Sequence, residues 1–186
     1  MKKILFFFVV LIPMITKSQS FTFKPLVDQN ISCYGNNDGS VQLDAEPASN
    51  YKYTISRLTF KDSNSSGIFG NLKPGVYKVC ATNNKITQCS KLTITEPKKL
   101  SIKFAVDKYP TTKDTMGTVV INVLGGVSVL QPILTTWINS KGVQMNDVNN
   151  NFATYMENMP ADTYTVKLED DNGCFLTKSF KLIKKK

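Results

Sequence analysis

Beyond its first twenty residues the chain is written in short runs in which apolar side chains take every second position. Val41, Leu43 and Ala45 alternate with Gln42 and Asp44; Tyr51, Tyr53 and Ile55 follow, then Tyr77, Val79 and Ala81, then Leu92 and Ile94. The scheme recurs in Val119, Ile121 and Val123, in Ile133, Thr135 and Trp137, in Tyr164, Val166 and Leu168, and in Phe180 and Leu182. Gly, Pro, Asn or Asp bounds each run. Successive side chains of a strand point to opposite faces, so a period of two predicts antiparallel strands with one face buried. No stretch after the leader carries a helical stripe, and the pattern predicts an all-β fold.

The end of the chain repeats its middle. Asn71-Leu72-Lys73-Pro74-Gly75-Val76-Tyr77-Lys78-Val79 returns as Asn158-Met159-Pro160-Ala161-Asp162-Thr163-Tyr164-Thr165-Val166, and upstream Asp38-Gly39-Ser40-Val41 returns as Met116-Gly117-Thr118-Val119. Two landmarks in the same order imply two copies of one folding unit. Between them lies Thr95-Glu96-Pro97-Lys98-Lys99-Leu100. Pro97 cannot donate to a sheet ladder and marks the end of the first unit, and a short linker without Gly should hold the units end to end. The second unit is about nine residues longer between its landmarks, and the excess is expected in the Asn- and Asp-rich stretch 141–151. Short strands at regular spacing, in tandem units each with a tyrosine opening a late strand, predict two tandem immunoglobulin-like antiparallel β-sandwich domains. The expected boundaries are a signal peptide at 1–20, a first module at 21–97 and a second at 98–186.

The leader is read from Lys2 and Lys3, an apolar run from Ile4 to Ile15, and small polar residues ending in Ser18-Gln19-Ser20. A dozen apolar residues fall short of the ~20 that a membrane-spanning helix needs, so the segment reads as a secretory signal cleaved after Ser18 or Ser20, leaving no membrane span in the mature chain, with a retained N-terminal anchor as the alternative. The full chain carries +9 at pH 7, and loss of Lys2, Lys3 and Lys17 brings this to +6. That mild excess, scattered over strands and the Lys184-Lys185-Lys186 tail, is a guard against edge pairing rather than a nucleic-acid signature. All four cysteines, Cys33, Cys80, Cys89 and Cys174, lie in the mature chain. In an exported chain an even count favours disulfides over thiols or metal ligands, with three connectivities open.

One further likeness rests on specific residues. Ile31-Ser32-Cys33-Tyr34-Gly35-Asn36-Asn37-Asp38-Gly39-Ser40-Val41, then Asn71 to Val79, Cys89 and Thr93-Ile94-Thr95-Glu96-Pro97, resembles an SprB-type repeat; Gly117-Thr118-Val119, Met159 to Val166 and Asp171-Asn172-Gly173-Cys174 resemble it again. Such repeats are immunoglobulin-like modules, usually in tandem, of surface and secreted proteins of Bacteroidota, gliding-motility adhesins among them. The resemblance implies a bridge from Cys33 to Cys89. In the second unit Thr111 stands where Cys33 does, which leaves Cys174 without its family partner, and Cys80 is extra. A Cys80–Cys174 bond would tie the units together; alternatively Cys80 faces Cys89 across a hairpin. Cys89 is also out of phase with Leu92 and Ile94, so an inward-pointing Cys89 needs a bulge. Family adhesins are often very long and carry a C-terminal sorting domain, whereas this chain stops at Lys186 just after its last expected strand, which leaves secretion, surface display and periplasmic residence equally open.

The chain contains no histidine. That removes Ser-His-Asp and Cys-His nucleophile arrangements and imidazole metal sites. Carboxylate pairs for glycoside hydrolysis are conceivable, but the acidic residues sit at turns or on outward strand positions, and no catalytic residue or cofactor is expected. Glu169, Asp170 and Asp171, and secondarily Asn36-Asn37-Asp38, are the calcium candidates; neither fits a spaced ligand loop, and hairpin turns demand the same residue types. Trp137, Tyr51 and Tyr53 invite a sugar-stacking reading, yet the phase of Trp137 on a third strand matches a core tryptophan. Tyr77 and Tyr164 read as corner tyrosines whose hydroxyls cap nearby backbone, while Tyr34, Tyr109 and Tyr155 are expected to be exposed. The sequence thus points to a non-enzymatic secreted or cell-surface adhesion or scaffold protein, with a carbohydrate-binding module as the alternative. Its expected partner is an extracellular or envelope protein or polysaccharide.

Overall fold

A computed structural model describes residues 20–83, 86–129, 132–145 and 154–186. The expected signal peptide and most of the 141–151 excess lie outside the described residues. Thirteen strands are found and no helix among the described residues.

The first seven strands are β1 (Thr22–Gln29), β2 (Gly39–Glu46), β3 (Lys52–Arg57), β4 (Phe60–Asn64), β5 (Ile68–Leu72), β6 (Gly75–Asn83) and β7 (Ile86–Ile94). They form a three-stranded sheet in the order β1-β2-β5 and a four-stranded sheet in the order β4-β3-β6-β7. The remaining six are β8 (Ser101–Lys108), β9 (Gly117–Leu124), β10 (Leu134–Ile138), β11 (Tyr155–Met159), β12 (Asp162–Glu169) and β13 (Phe175–Leu182), in sheets ordered β11-β9-β8 and β10-β12-β13. All pairings are antiparallel. Each set separates its first, second and late strands from its third strand and final hairpin, which is the division of an immunoglobulin-like sandwich.

The alternation builds two separate cores. Val41, Leu43, Tyr53, Ile55, Tyr77, Val79 and Ile94 are buried in the first, and Val119, Trp137, Met159, Tyr164, Val166 and Leu182 in the second. Pro97 falls between the two sets of residues. Trp137 is fully buried on β10, as its phase predicts, and packs edge-on to Phe180 with centroids 6.2 Å apart. Tyr51 and Tyr53 are buried as well, so no face offers these three rings to a sugar.

The repeat extends to the details of its corners. Tyr77 donates to the Lys73 carbonyl at 2.8 Å and Tyr164 to that of Pro160 at 2.8 Å, the same corner in both units. Burial pushes the Tyr164 phenol above its ordinary pKa, with the Asp162 carboxylate adding to the effect, so it remains a donor. Asn71 and Asn158, which open the repeated motif, both have φ of 54°, a left-handed conformation that Asn tolerates better than most residues. Gly39 and Gly117 are small because a side chain has no room. A β-carbon on Gly39 would stand 2.9 Å from the Ile94 Cγ2, and one on Gly117 would stand 2.7 Å from the Lys108 carbonyl oxygen.

Two expectations are corrected. Tyr109 is half-buried against the second core, with the Lys185 ammonium 3.7 Å from its ring centroid; Tyr34 and Tyr155 are exposed as expected. The Cys33–Cys89 bridge implied by the family resemblance is not formed. Cys33 joins Cys174, and Cys80 joins Cys89. The physical reason is strand phase: Cys80 and Cys89 stand directly opposite each other on β6 and β7, with Cα atoms 4.1 Å apart, on the side away from the buried Val79 and Ala81. No bulge turns Cys89 inward.

Candidate functional site

The feature that distinguishes this chain from two beads on a string is the junction of its sandwiches. The hairpin between β12 and β13 is built from Asp170-Asp171-Asn172-Gly173, residue types that bond their own backbone and accept positive φ. Gly173 has φ of 74° and donates to the Asp170 carbonyl at 2.9 Å, while the Asp170 amide donates to the Cys174 carbonyl at 3.0 Å. That turn aims Cys174 at the first sandwich, where the loop between β1 and β2 presents Cys33. The two Cα atoms are 5.6 Å apart and the bond spans 141 positions of sequence.

Polar contacts surround the bond. The Asn172 side-chain amide donates to the Ser32 carbonyl at 2.8 Å. The Gly35 amide donates to the Glu96 carboxylate at 3.2 Å, and the Lys99 ammonium lies 5.9 Å from the Tyr34 ring centroid. The linker is fixed at both ends: Thr95 receives the Ile31 amide at 2.9 Å and gives its own amide to Asn30 at 2.8 Å, whereas Lys98 receives the Gly126 amide at 2.8 Å. Between these anchors lies a cavity of about 270 Å³ lined by Tyr34, Pro97, Leu100, Cys174, Phe175 and Leu176 among others.

The calcium candidates are placed apart from one another in role. Asp170 is buried, and its carboxylate accepts three backbone amides, from Val127 at 2.8 Å, Asn172 at 3.0 Å and Cys174 at 2.9 Å. Asp171 accepts the Val129 amide at 2.7 Å, and Glu169 is exposed at the end of β12. The carboxylates therefore serve the turn and the loop packed on it. Asp38 does the same in the first unit: it accepts both the amide and the hydroxyl of Ser32, and those hydrogen bonds, the hydroxyl's first, hold its carboxyl below the usual range. Among the described residues no group of three or more metal-ligating side chains converges.

The interdomain bond had a trace in the sequence. Cys80 and Cys89 both occupy the outward phase of neighbouring strands, and Thr111 in place of a cysteine left Cys174 without an intradomain partner.

No family model matches the chain, and no curated protein matches it. Among solved structures it is similar to the first two Ig domains of DIP-gamma, with a TM-score of 0.45 and 10% sequence identity, covering 88% of this chain and 97% of that one. It is also similar to a three-Ig titin structure, with a TM-score of 0.42 and 15% identity over 89% of this chain and 66% of that one. A structure addressing Dscam isoform specificity gives a TM-score of 0.35 and 15% identity over 90% of this chain. The chain spans about half the length of that Dscam structure, 47% of it.

Proposed function

We propose that the chain is an exported, non-enzymatic adhesion or scaffold element. In this reading residues 1–20 are a cleaved signal peptide, and residues 21–97 and 98–186 are two immunoglobulin-like modules of SprB type that work as one stiff unit. The observation that carries the reading is the Cys33–Cys174 bond. Domains joined by a single linker move relative to one another by default; a second covalent crossing beside a linker hydrogen-bonded at both ends removes that freedom. Two disulfides also suit an oxidising compartment, whether the chain is released, displayed or kept in the periplasm. The absence of histidine and the engagement of Asp170 by three amides speak against reaction chemistry. A carbohydrate-binding module working by aromatic stacking is not favoured, because Trp137, Tyr51 and Tyr53 are buried.

The test is export from a bacterial host followed by distance measurement. The mature protein should begin at Phe21 or Gln19 and contain no free thiol. Spin labels placed one on each sandwich should give a narrow distance distribution that broadens in C33S/C174S. A native, fully oxidised chain with a distribution as broad as that of the double variant would overturn the proposal.

A further inference from the structure

The outer face of the four-stranded sheet β4-β3-β6-β7 is unpartnered and carries charge of one sign. Because Tyr53, Ile55, Tyr77, Val79 and Ala81 point into the core, the alternate residues point out. Register sets Lys61, Ser56, Lys78 and Lys91 side by side across all four strands, and Lys52 lies four residues before Ser56 on the same face of β3, opposite Thr82. Three inter-strand spacings and four residues of strand spread the lysines over a patch of about 14 by 13 Å, with Lys61, Lys78 and Lys91 in one row and Lys52 set off from it. The remaining outward positions are hydroxyl side chains, Thr54, Ser63, Thr87 and Thr93 among them, together with Val76 and the Cys80–Cys89 bond. None of the described outward positions is Asp or Glu. Asp62 on β4 pairs with Ile55 and belongs to the other side of its strand. Among the described residues no carboxylate lies within ion-pair distance of Lys52, Lys61, Lys78 or Lys91.

Two comparisons within the molecule single this face out. On the opposite sheet of the same sandwich, Asp28, Asp44 and Glu46 point outward with Lys24, which is itself paired to Glu46 at 2.7 Å. The corresponding face of the second sandwich sets Glu169 and the apolar Leu134, Ile138 and Phe175 beside Lys167 and Lys181. Moreover Lys78 and Lys91 are directly opposite one another, an arrangement of like charges that destabilises a sheet.

From this placement we infer that the face binds a polyanionic glycan, one bearing carboxylate or sulfate groups along its length. Protein interfaces are depleted in Lys and Ser and rich in aromatic residues, so the composition of this face argues against a protein partner. Ammonium groups spaced over a flat bed of hydroxyls instead match a chain of repeating anions and sugar hydroxyls, held by charge and hydrogen bonding rather than by ring stacking. The inference rests on the adhesion reading above and names the chemistry of its partner.

The experiment titrates the oxidised mature chain with heparin, polygalacturonate and neutral dextran at about 0.01 M ionic strength, where the Debye length is about 30 Å. Both polyanions should bind and dextran should not, and binding should vanish near 1 M salt. K52Q/K61Q/K78Q/K91Q should weaken binding roughly tenfold or more, whereas K103Q/K113Q/K184Q/K186Q, equal in charge but off the face, should stay within about twofold. K78Q alone serves as the folding control, its melting temperature unchanged or raised because it relieves the opposed pair. Absence of binding to both polyanions, equal loss in the two quadruple variants, tighter binding of single-stranded DNA or phosphatidylglycerol vesicles, or concentration-dependent self-association abolished by the first quadruple variant would each overturn it. Should the glycan arms fail while the spin-label distances stay narrow, the ligand assignment falls and the scaffold reading stands.

Discussion

Trp137 is the sole tryptophan and is buried in the second core, so its fluorescence reports the unfolding of that sandwich alone. The matched corner tyrosines supply the same perturbation in each unit. Tyr164→Phe keeps the ring that stacks on Phe180 at 5.7 Å and deletes only the 2.8 Å bond to the Pro160 carbonyl. A bond of this kind contributes about 1 kcal/mol net. A domain of this size unfolds in urea with a slope at the low end of the usual range, about 1 kcal/mol/M, so the fluorescence midpoint should fall by about 1 M with the slope unchanged. Tyr77→Phe deletes the equivalent bond to Lys73 in the first sandwich. It should leave the fluorescence midpoint within about 0.3 M on the same scale while lowering a separate transition seen by circular dichroism. If Tyr77→Phe moves the Trp137 transition as far as Tyr164→Phe does, the two cores unfold as one and the account of independent sandwiches is wrong.

Other substitutions probe the turns. Asp170→Ala strips three backbone amides of their acceptor and should cost about 2–4 kcal/mol, read from the same fluorescence transition, with Asp170→Asn intermediate; a loss below 0.5 kcal/mol would mean that the carboxylate is not organising the hairpin. Leu58 is 94% exposed at φ of 50°, so Leu58→Asn should stabilise the first sandwich by about 0.5–1 kcal/mol in thermal melts, and a destabilisation would contradict the left-handed turn. Asp38, Asp114 and Asp162 have carboxyls held below their ordinary value, chiefly by the Ser32 hydroxyl, the Lys108 ammonium and the Ser140 hydroxyl respectively. A depressed folded-state pKa gives stability that is present above the unfolded value near 4 and is lost as pH falls through the folded one. Urea midpoints should therefore hold from pH 7 to 5 and drop below pH 4, with a shallower drop in D38N/D114N/D162N; midpoints insensitive to acid in both proteins would refute these contacts.

The strands with a deeply buried face were legible because burial imposes the alternation: β2, β3, β6, β9, β10 and β12 carry most of the two cores. Among the strands the alternation did not reveal, β1 and β4 escaped for a physical reason. β1 is an edge strand whose inward positions, Phe23, Pro25 and Val27, are only half-buried, and β4 is exposed along nearly its whole length. A strand that buries little need not alternate. The corner tyrosines were legible because they hold the same place in both copies of one motif. The lysine face was not, since Lys52, Lys61, Lys78 and Lys91 lie on four separate strands and only the register of those strands brings them together. Cysteine pairing stayed open in the sequence because the bond implied by the SprB-type resemblance and the phase of Cys89 pointed in different directions; strand register resolves it in favour of phase.

The two bonds are nested in the order of synthesis. Cys33 crosses the membrane first in an exported chain, yet its partner is the last cysteine to emerge, and both members of the inner pair, Cys80 and Cys89, pass by before Cys174 arrives. An oxidant that joined thiols strictly as they appeared would couple Cys33 to Cys80 and leave Cys89 to take Cys174. Maturation of this chain thus depends on the early closure of the β6–β7 hairpin, which sequesters the competing thiols, or on an isomerising catalyst that undoes the wrong union. In a host compartment equipped only to oxidise, correct pairing would rest entirely on that hairpin closing first.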